Sequence, residues 1–488
     1  MLAMSERSRS RREGALLLCA GVLAVALVLI GFRDLILTDF RAFYCGAHGQ
    51  LSGADPYREE PLRACQLATK GIADSPTGMA MPAPLPGYDF ALLAPFASLP
   101  FPPAAIAWIG ILSLALASSV VSLRRLTKLP LTAIWAALMA CDGITSILLG
   151  QLVPLSVAGL CLLARGCRTN NPLLTFAGVG LAMMEPHLGF GAVLAVLLFG
   201  SNTTRISVAG ATCLLAGLSI TTLGIWGNRE FFSVVLPAHA LSEVAYVQQY
   251  SLTHLLHLLG VSDKNAVTVG SLQYGAMLIL GLALARSIAQ STGDRAFLAL
   301  IPPAAAVLGG PFLHIGQIAA AMPAALLAYA TFPNLRSLTR WAIYGLAIPW
   351  GAIAFSGAML PAEVVGIIIL APRLLGLRKR AALFVATVPI ATTALAMFTL
   401  ASNLKPHVPS EAFNGNSLAE DAWKAVVETA LTDHPLMYLA FRLPTWAALV
   451  TLLVVLIRSA RKSIQEDSSP TGSDVVIGRR EQFARPHA

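Results

Sequence analysis

Charge is scarce in this chain: only 12% of its 488 residues are Asp, Glu, Lys or Arg. A soluble domain carries roughly 25%, and the mean hydropathy of +0.70 points the same way, so a water-soluble globular protein is excluded. Cysteines number seven, at positions 19, 45, 65, 141, 161, 167 and 213. None shows metal-ligand spacing, which argues against a zinc centre. A glycine-rich phosphate loop and a DxD metal motif are both missing. Acids are fewer than bases, giving a net charge of +9. The basic residues fall in short clusters between apolar runs without interleaved aromatics, a pattern of membrane topology and not of nucleic-acid binding.

What the chain has is apolar runs. Taking roughly 20 residues as one crossing, spans are expected near 15–32, 104–123, 131–149, 152–164, 173–184, 188–200, 206–226, 267–289, 296–308, 315–331, 341–356, 361–375, 381–401 and 438–457. That is about fourteen crossings of an all-α polytopic membrane protein. The first run follows "RSRSRR" and lacks a small-x-small cleavage site, so it reads as a retained anchor and not a secretory signal. Residues 1–14 form a basic N-terminus, 15–462 the membrane domain, and 463–488 a polar tail expected to be disordered.

With the N-terminus inside, the inside loops carry Arg124, Arg125, Lys128, Arg165, Arg168, Arg205, Arg286, Arg295, Arg336, Arg340, Arg378 to Arg380, Arg458, Arg461 and Lys462. The tail is inside too, and a bacterial inner membrane fits this arrangement. The opposite face collects the unusual polar residues, in a first loop over 33–102, a second over 227–266 and a late one over 403–437. Within these, "PYREEPLRACQLATKG" reads as a short amphipathic helix and "FFSVVLPAHALSEVAYVQQYSLTHLLHLLG" as interfacial or re-entrant helices.

Asp39 follows the first span closely, where partial desolvation raises the basicity of a carboxylate. At the head of "DFRAFYCGAHGQL" it serves equally well as the cap of a short helix. Arg41, Tyr44, His48 and Tyr57 accompany it, with Tyr44 and His48 sharing a helix face. Cys45 and Cys65 lie in the same outer loop, where an oxidising compartment favours a disulfide. Polar residues at span ends are costly and therefore candidates for function: Asp142, Gln151, Glu185, His187, His314 and Gln317. No pair of interrupted helices in matching halves marks a transporter repeat.

"TDFRAFYCGAHGQLSGADPY", "YDFALLAPFASLPFPPAAIAWIGILSLAL", "LLGQLVPLSVAGLCLLAR", "AGVGLAMMEPHLGFGAVLAVLL" and "LPAHALSEVAYVQQYSLTHLLHLLG", in that order, resemble the motifs of glycosyltransferase family 87, integral-membrane enzymes of the GT-C class. The resemblance covers residues 38–331. It implies transfer of a sugar, mannose or arabinofuranose in type, from a polyprenyl-phosphate donor to an extracytoplasmic glycan or glycolipid of the cell envelope. It also implies a catalytic aspartate in the first outer loop, at the position of Asp39, acting as base on the acceptor hydroxyl. Arg41, His187 and His314 are the expected contacts of the lipid phosphate, and Tyr44, Tyr88, Gln151 and Gln249 of sugar or acceptor. A lipid-linked donor requires no metal and no further cofactor. One departure stands out: many relatives have Lys-Pro where this chain has Glu185-Pro186, and a glutamate cannot take over a lysine's contact to phosphate. Either His187 or Arg41 supplies that charge here, or the donor differs; the alternative for Glu185 is a contact to acceptor hydroxyls or an amino sugar. The competing readings are a transporter or flippase of a lipid-linked saccharide, which predicts polar groups through the membrane depth, and an inert assembly protein, in which Asp39 only caps a helix.

Overall fold

A computed structural model describes residues 37–69, 80–246, 249–347, 417–429 and 435–468. The spans expected at 15–32, 361–375 and 381–401, and most of 341–356, lie outside the described residues. Everything described is helix and connecting loop, as an all-α membrane protein requires, because lipid offers backbone groups no partner.

Among the described residues, four helices are long and apolar enough to cross a membrane: Phe101–Thr127, Asn202–Ser242, Asp263–Thr292 and Arg442–Arg461. Ile315–Thr331 with Pro333–Leu346 makes a fifth if that pair, bent by 115°, counts as one span. The apolar helices Pro172–Ala182, Pro186–Phe199 and Ala296–Ala306 form where spans are expected, but at 10–17 residues they are too short to cross alone. The last helix, Pro435–Ser468, runs beyond residue 463, so the segment read as a disordered tail begins as helix.

The helices named below are α1 (Thr38–Leu51), α2 (Glu59–Ala68), α3 (Gly87–Ala97), α4 (Phe101–Thr127), α5 (Val153–Thr169), α6 (Pro172–Ala182), α7 (Pro186–Phe199), α8 (Asn202–Glu230), α9 (Leu236–Ser242), α10 (Asp263–Thr292), α11 (Ala296–Ala306) and α12 (Ala419–Thr429). Small residues let α5 and α6 pack backbone to backbone: a Cβ on Gly159 would stand 2.1 Å from the Ala182 nitrogen. At one end of the bundle, Arg168 binds the Asp294 carboxylate through Nε at 2.9 Å and the Leu126 carbonyl through Nη1 at 2.6 Å. Three helix ends are tied together there. The unusual polar residues gather at the other end, as their distribution in the sequence leads one to expect.

Over that polar end lie α1, α2 and α3, outside the spans. Phe40 in the first turn of α1 stacks between Trp108, at 5.0 Å, and Phe101, at 6.0 Å between centroids. Cys45 in α1 is bonded to Cys65 in α2, as expected. Replacing both cysteines with alanine is expected to cost roughly 3 kcal/mol through the freed loop. The check is thermal unfolding in detergent, where reduction of the wild type gives the same downward shift. Of the other described cysteines, Cys141, Cys161 and Cys167 are buried among apolar side chains and Cys213 is exposed.

Candidate active site

A cavity of about 1010 Å³ opens at the polar end of the bundle. Its wall includes Asp39, Arg41, Tyr88, Gln151, Glu185, His187 and His314 from the expected set. These come from segments more than 270 positions apart in the chain, brought together because every helix end carrying one of them lies on the same face.

Asp39 sits in the first turn of α1, and the close fit of that turn depends on Gly150. This glycine has φ of 75°, a left-handed conformation, and a Cβ there would meet the Phe40 Cβ at 2.5 Å. Its carbonyl accepts from Trp108 Nε1 at 2.9 Å. The turn so held brings Gln151 to the Asp39 carboxylate as a hydrogen-bond donor. Burial pushes the Asp39 pKa above the ordinary carboxylate range, with Gln151, Thr38 and the charge on His314 acting in the opposite direction.

Opposite stands a pair that sequence reasoning half missed. His314 Nε2 meets Glu243 Oε2 at 3.0 Å. Glu243 also accepts from Gln249 Nε2 at 2.9 Å and from Trp423 Nε1 at 2.6 Å. Burial alone would raise its pKa, but His314, the charge on His239 and the hydrogen bond from Gln249 outweigh burial and bring it down to about 2. Burial likewise disfavours charge on His314, yet the carboxylates of Glu243, Asp39 and Glu185 outweigh it, so its pKa is raised. Within the pair each group favours the charged form of the other.

Two glutamines fix this pair in place. Gln249 takes the Leu313 backbone N–H at 2.6 Å on Oε1 while its Nε2 donates to Glu243, which sets His314 beside its partner. Gln249 is therefore behind the wall and not part of it. Gln317 accepts from the His314 N–H at 2.9 Å and donates to Glu185 Oε2 at 3.4 Å. Tyr44 too stays off the cavity wall: its hydroxyl donates to the Leu99 carbonyl at 2.8 Å and its ring lies against His48. Tyr88 reaches the wall with its hydroxyl given to the Met183 carbonyl. Asp142 falls in the turn Met139–Gly143, and its side chain lies outside the described residues.

Glu185 closes the group. Its carboxyl is 3.6 Å from His187 Nδ1, and burial, aided by the charge on Asp39, pushes its pKa up to about 7 against the opposing effect of His314 and Gln317. His187 Nε2 and His239 Nδ1 are buried and have no hydrogen-bond partner among the described residues, which leaves two polar atoms of the wall for a ligand. On one side the wall turns apolar, with Phe190 and Phe232 both largely exposed. Sequence reasoning missed Glu243, Trp423, Tyr246 and His239. The one signal was the pairing of an acid with a histidine in "PAHALSE", inside a loop otherwise apolar. Among the described residues, no three His, Cys, Asp or Glu side chains are grouped to hold a metal ion.

The arrangement offers a buried carboxylate, a histidine paired with a second carboxylate, a guanidinium from Arg41 and a carboxyl that titrates near neutrality. Compared with known proteins, residues 89–311 match the model of glycosyltransferase family 87, the family whose motifs the sequence resembles. The match begins after Asp39 and ends before His314. No curated protein and no solved structure matches the chain.

Proposed function

From that family match, we propose that the protein is a membrane glycosyltransferase that moves a sugar from a polyprenyl-phosphate donor to an extracytoplasmic glycan or glycolipid. The observation that carries this reading is the meeting of Asp39 and the Glu243–His314 pair across one cavity that is polar on one side and apolar on another. Such a cavity suits a ligand with a charged head and a hydrocarbon tail.

Asp39 takes the proton from the acceptor hydroxyl as that oxygen attacks the anomeric carbon, and the bond to the donor phosphate breaks on the opposite face. Its burial serves this role, since a desolvated carboxylate is the stronger base. His314 and Arg41 stabilise the negative charge that grows on the departing phosphate. His314 is kept cationic by Glu243, so the charge is in place before the reaction begins. Gln151 orients the base, and Tyr88, His187 and His239 contact the sugar or acceptor.

Glu185 gains a role that an ionised glutamate could not fill. With a pKa near 7 it is largely protonated in mildly acidic conditions and donates a hydrogen bond to a phosphate oxygen, where relatives with Lys-Pro would place an ammonium. The sign of the pH effect follows. Transfer falls as pH rises through about 7, because Glu185 loses the proton that it donates to the phosphate oxygen. In Glu185→Gln the amide remains a donor at every pH, so this alkaline decline is expected to disappear while most of the activity survives. A pH–rate series on both proteins checks it; an unchanged profile removes Glu185 from the phosphate contact.

The reading as a whole is tested with purified protein in nanodiscs, offered a panel of polyprenyl-phosphate sugars and envelope acceptors. Transfer from one donor supports it and names the sugar. Movement of lipid-linked saccharide across liposomes with no transfer replaces it with the flippase.

A further inference from the structure

At the end of the bundle away from the catalytic cavity lies a second pocket of about 450 Å³, lined by Arg205, Arg286 and Arg295 with Gln290, Leu198 and Phe199 among its neighbours. The helices themselves establish the separation. Helix α7 begins at the cavity with Pro186 and His187 and ends at this pocket with Phe199; α10 lines the cavity at Tyr274 and this pocket at Arg286. Twelve residues of helix rise by about 18 Å, so the two sites stand at opposite ends of the same helices.

Three elements each contribute one guanidinium: the first turn of α8, the last turns of α10 and the N-cap of α11. No carboxylate lines the pocket, since nearby Asp294 is held by Arg168. None of the three makes a salt bridge among the described residues. Arg205 donates to the Leu198 carbonyl through Nη2, while its Nε is buried without a partner. Arg286 lies 5.3 Å over the Phe199 ring, which orients it without neutralising it. Three like charges around one hollow repel, and an anion placed between them removes the repulsion. The membrane-facing surface begins at once beside them, with Leu198 at 48% and Ile206 at 73% exposure.

We propose that this pocket binds the phosphate headgroup of an anionic lipid, at the face opposite the catalytic cavity. Arginine is suited to the task because its planar fork matches phosphate oxygens in pairs. The apolar rim at Leu198 and Ile206 is what favours a lipid over free phosphate: it gives the acyl chains a surface to lie on while the headgroup enters between the guanidinium groups. Basic pockets between membrane helices recognise headgroups in this way.

The test is native mass spectrometry of the full-length protein in detergent, with phosphatidylglycerol or phosphatidylcholine added. Wild type is expected to retain one phosphatidylglycerol in preference to phosphatidylcholine. Arg205→Gln/Arg286→Gln/Arg295→Gln is expected to lose that lipid with at least about tenfold weaker retention. A variant with the same loss of charge at the same end, Arg124→Gln/Arg125→Gln/Lys128→Gln, should keep it. Equal loss in both variants overturns the proposal in favour of a diffuse basic surface, and equal retention of the two lipids overturns it outright. Displacement of the lipid by inorganic phosphate at matched concentration overturns the lipid assignment. If the triple variant does not fold, Arg286→Gln and Arg295→Gln, at exposed positions, each carry the same comparison, with a several-fold loss expected.

Discussion

Asp39→Asn is expected to lower the rate of sugar transfer by about 10³-fold, within the 10²–10⁴ that general base catalysis contributes. Asparagine keeps the size of the side chain and can still hydrogen-bond to Gln151, so α1 and the disulfide that anchors it should be undisturbed. What is lost is the capacity to accept the acceptor's proton. Thermal unfolding should therefore match the wild type while turnover collapses, and donor binding, measured with a non-transferable analogue, should change little. If Asp39→Asn turns over normally, the residue is only an acid in the first turn of α1, whose N-cap is Leu37, and the mechanism must find its base elsewhere.

His314→Gln should cost about 10²–10³ in kcat, the loss typical of removing one preorganised stabiliser of transition-state charge. Glutamine still accepts or donates at the position of Nε2 but brings no positive charge. Glu243→Gln offers the companion measurement. It leaves His314 in place and removes the carboxylate that keeps it protonated, so the imidazolium should lose its proton at a lower pH and the activity should decline earlier on the alkaline side. The two substitutions act on one charge, so the double variant should be little worse than His314→Gln alone. Additive losses would mean that Glu243 and His314 serve separate steps.

The helices were legible because lipid demands them: long apolar runs leave the backbone no other way to satisfy its hydrogen bonds. The sidedness of Asp39, Gln151, Glu185 and His314 could be read for a related reason, since basic residues mark the opposite end of each run. Periodicity also placed Tyr44 and His48 together on α1, and they do stack. That face, however, turns toward the carbonyls of Ala97 and Leu99. Five residues along a helix bring Tyr44 about 140° round from Asp39, which is why one faces the cavity and the other does not. Glu243 was beyond reach because what makes it notable is distant in the chain. Its partners are His314, 71 positions away, and Trp423, 180 positions away, and no local pattern announces either. Gln249 was recognisable as unusual, but its place behind the wall depends on a backbone N–H at Leu313.

Trp423 lies on α12, and the strand-like contact of Leu418 with Arg58 stitches that helix to the loop before α2. A residue made late thus completes a cavity whose wall includes Asp39, made nearly 400 residues earlier. During synthesis, Asp39 leaves the ribosome early and waits while the intervening helices are inserted. Even after His314 has emerged, roughly a hundred further residues must follow, which takes about 5 to 20 s at typical elongation rates. Until then Glu243 lacks its indole donor, and the wall of the cavity is incomplete although Asp39 was made long before.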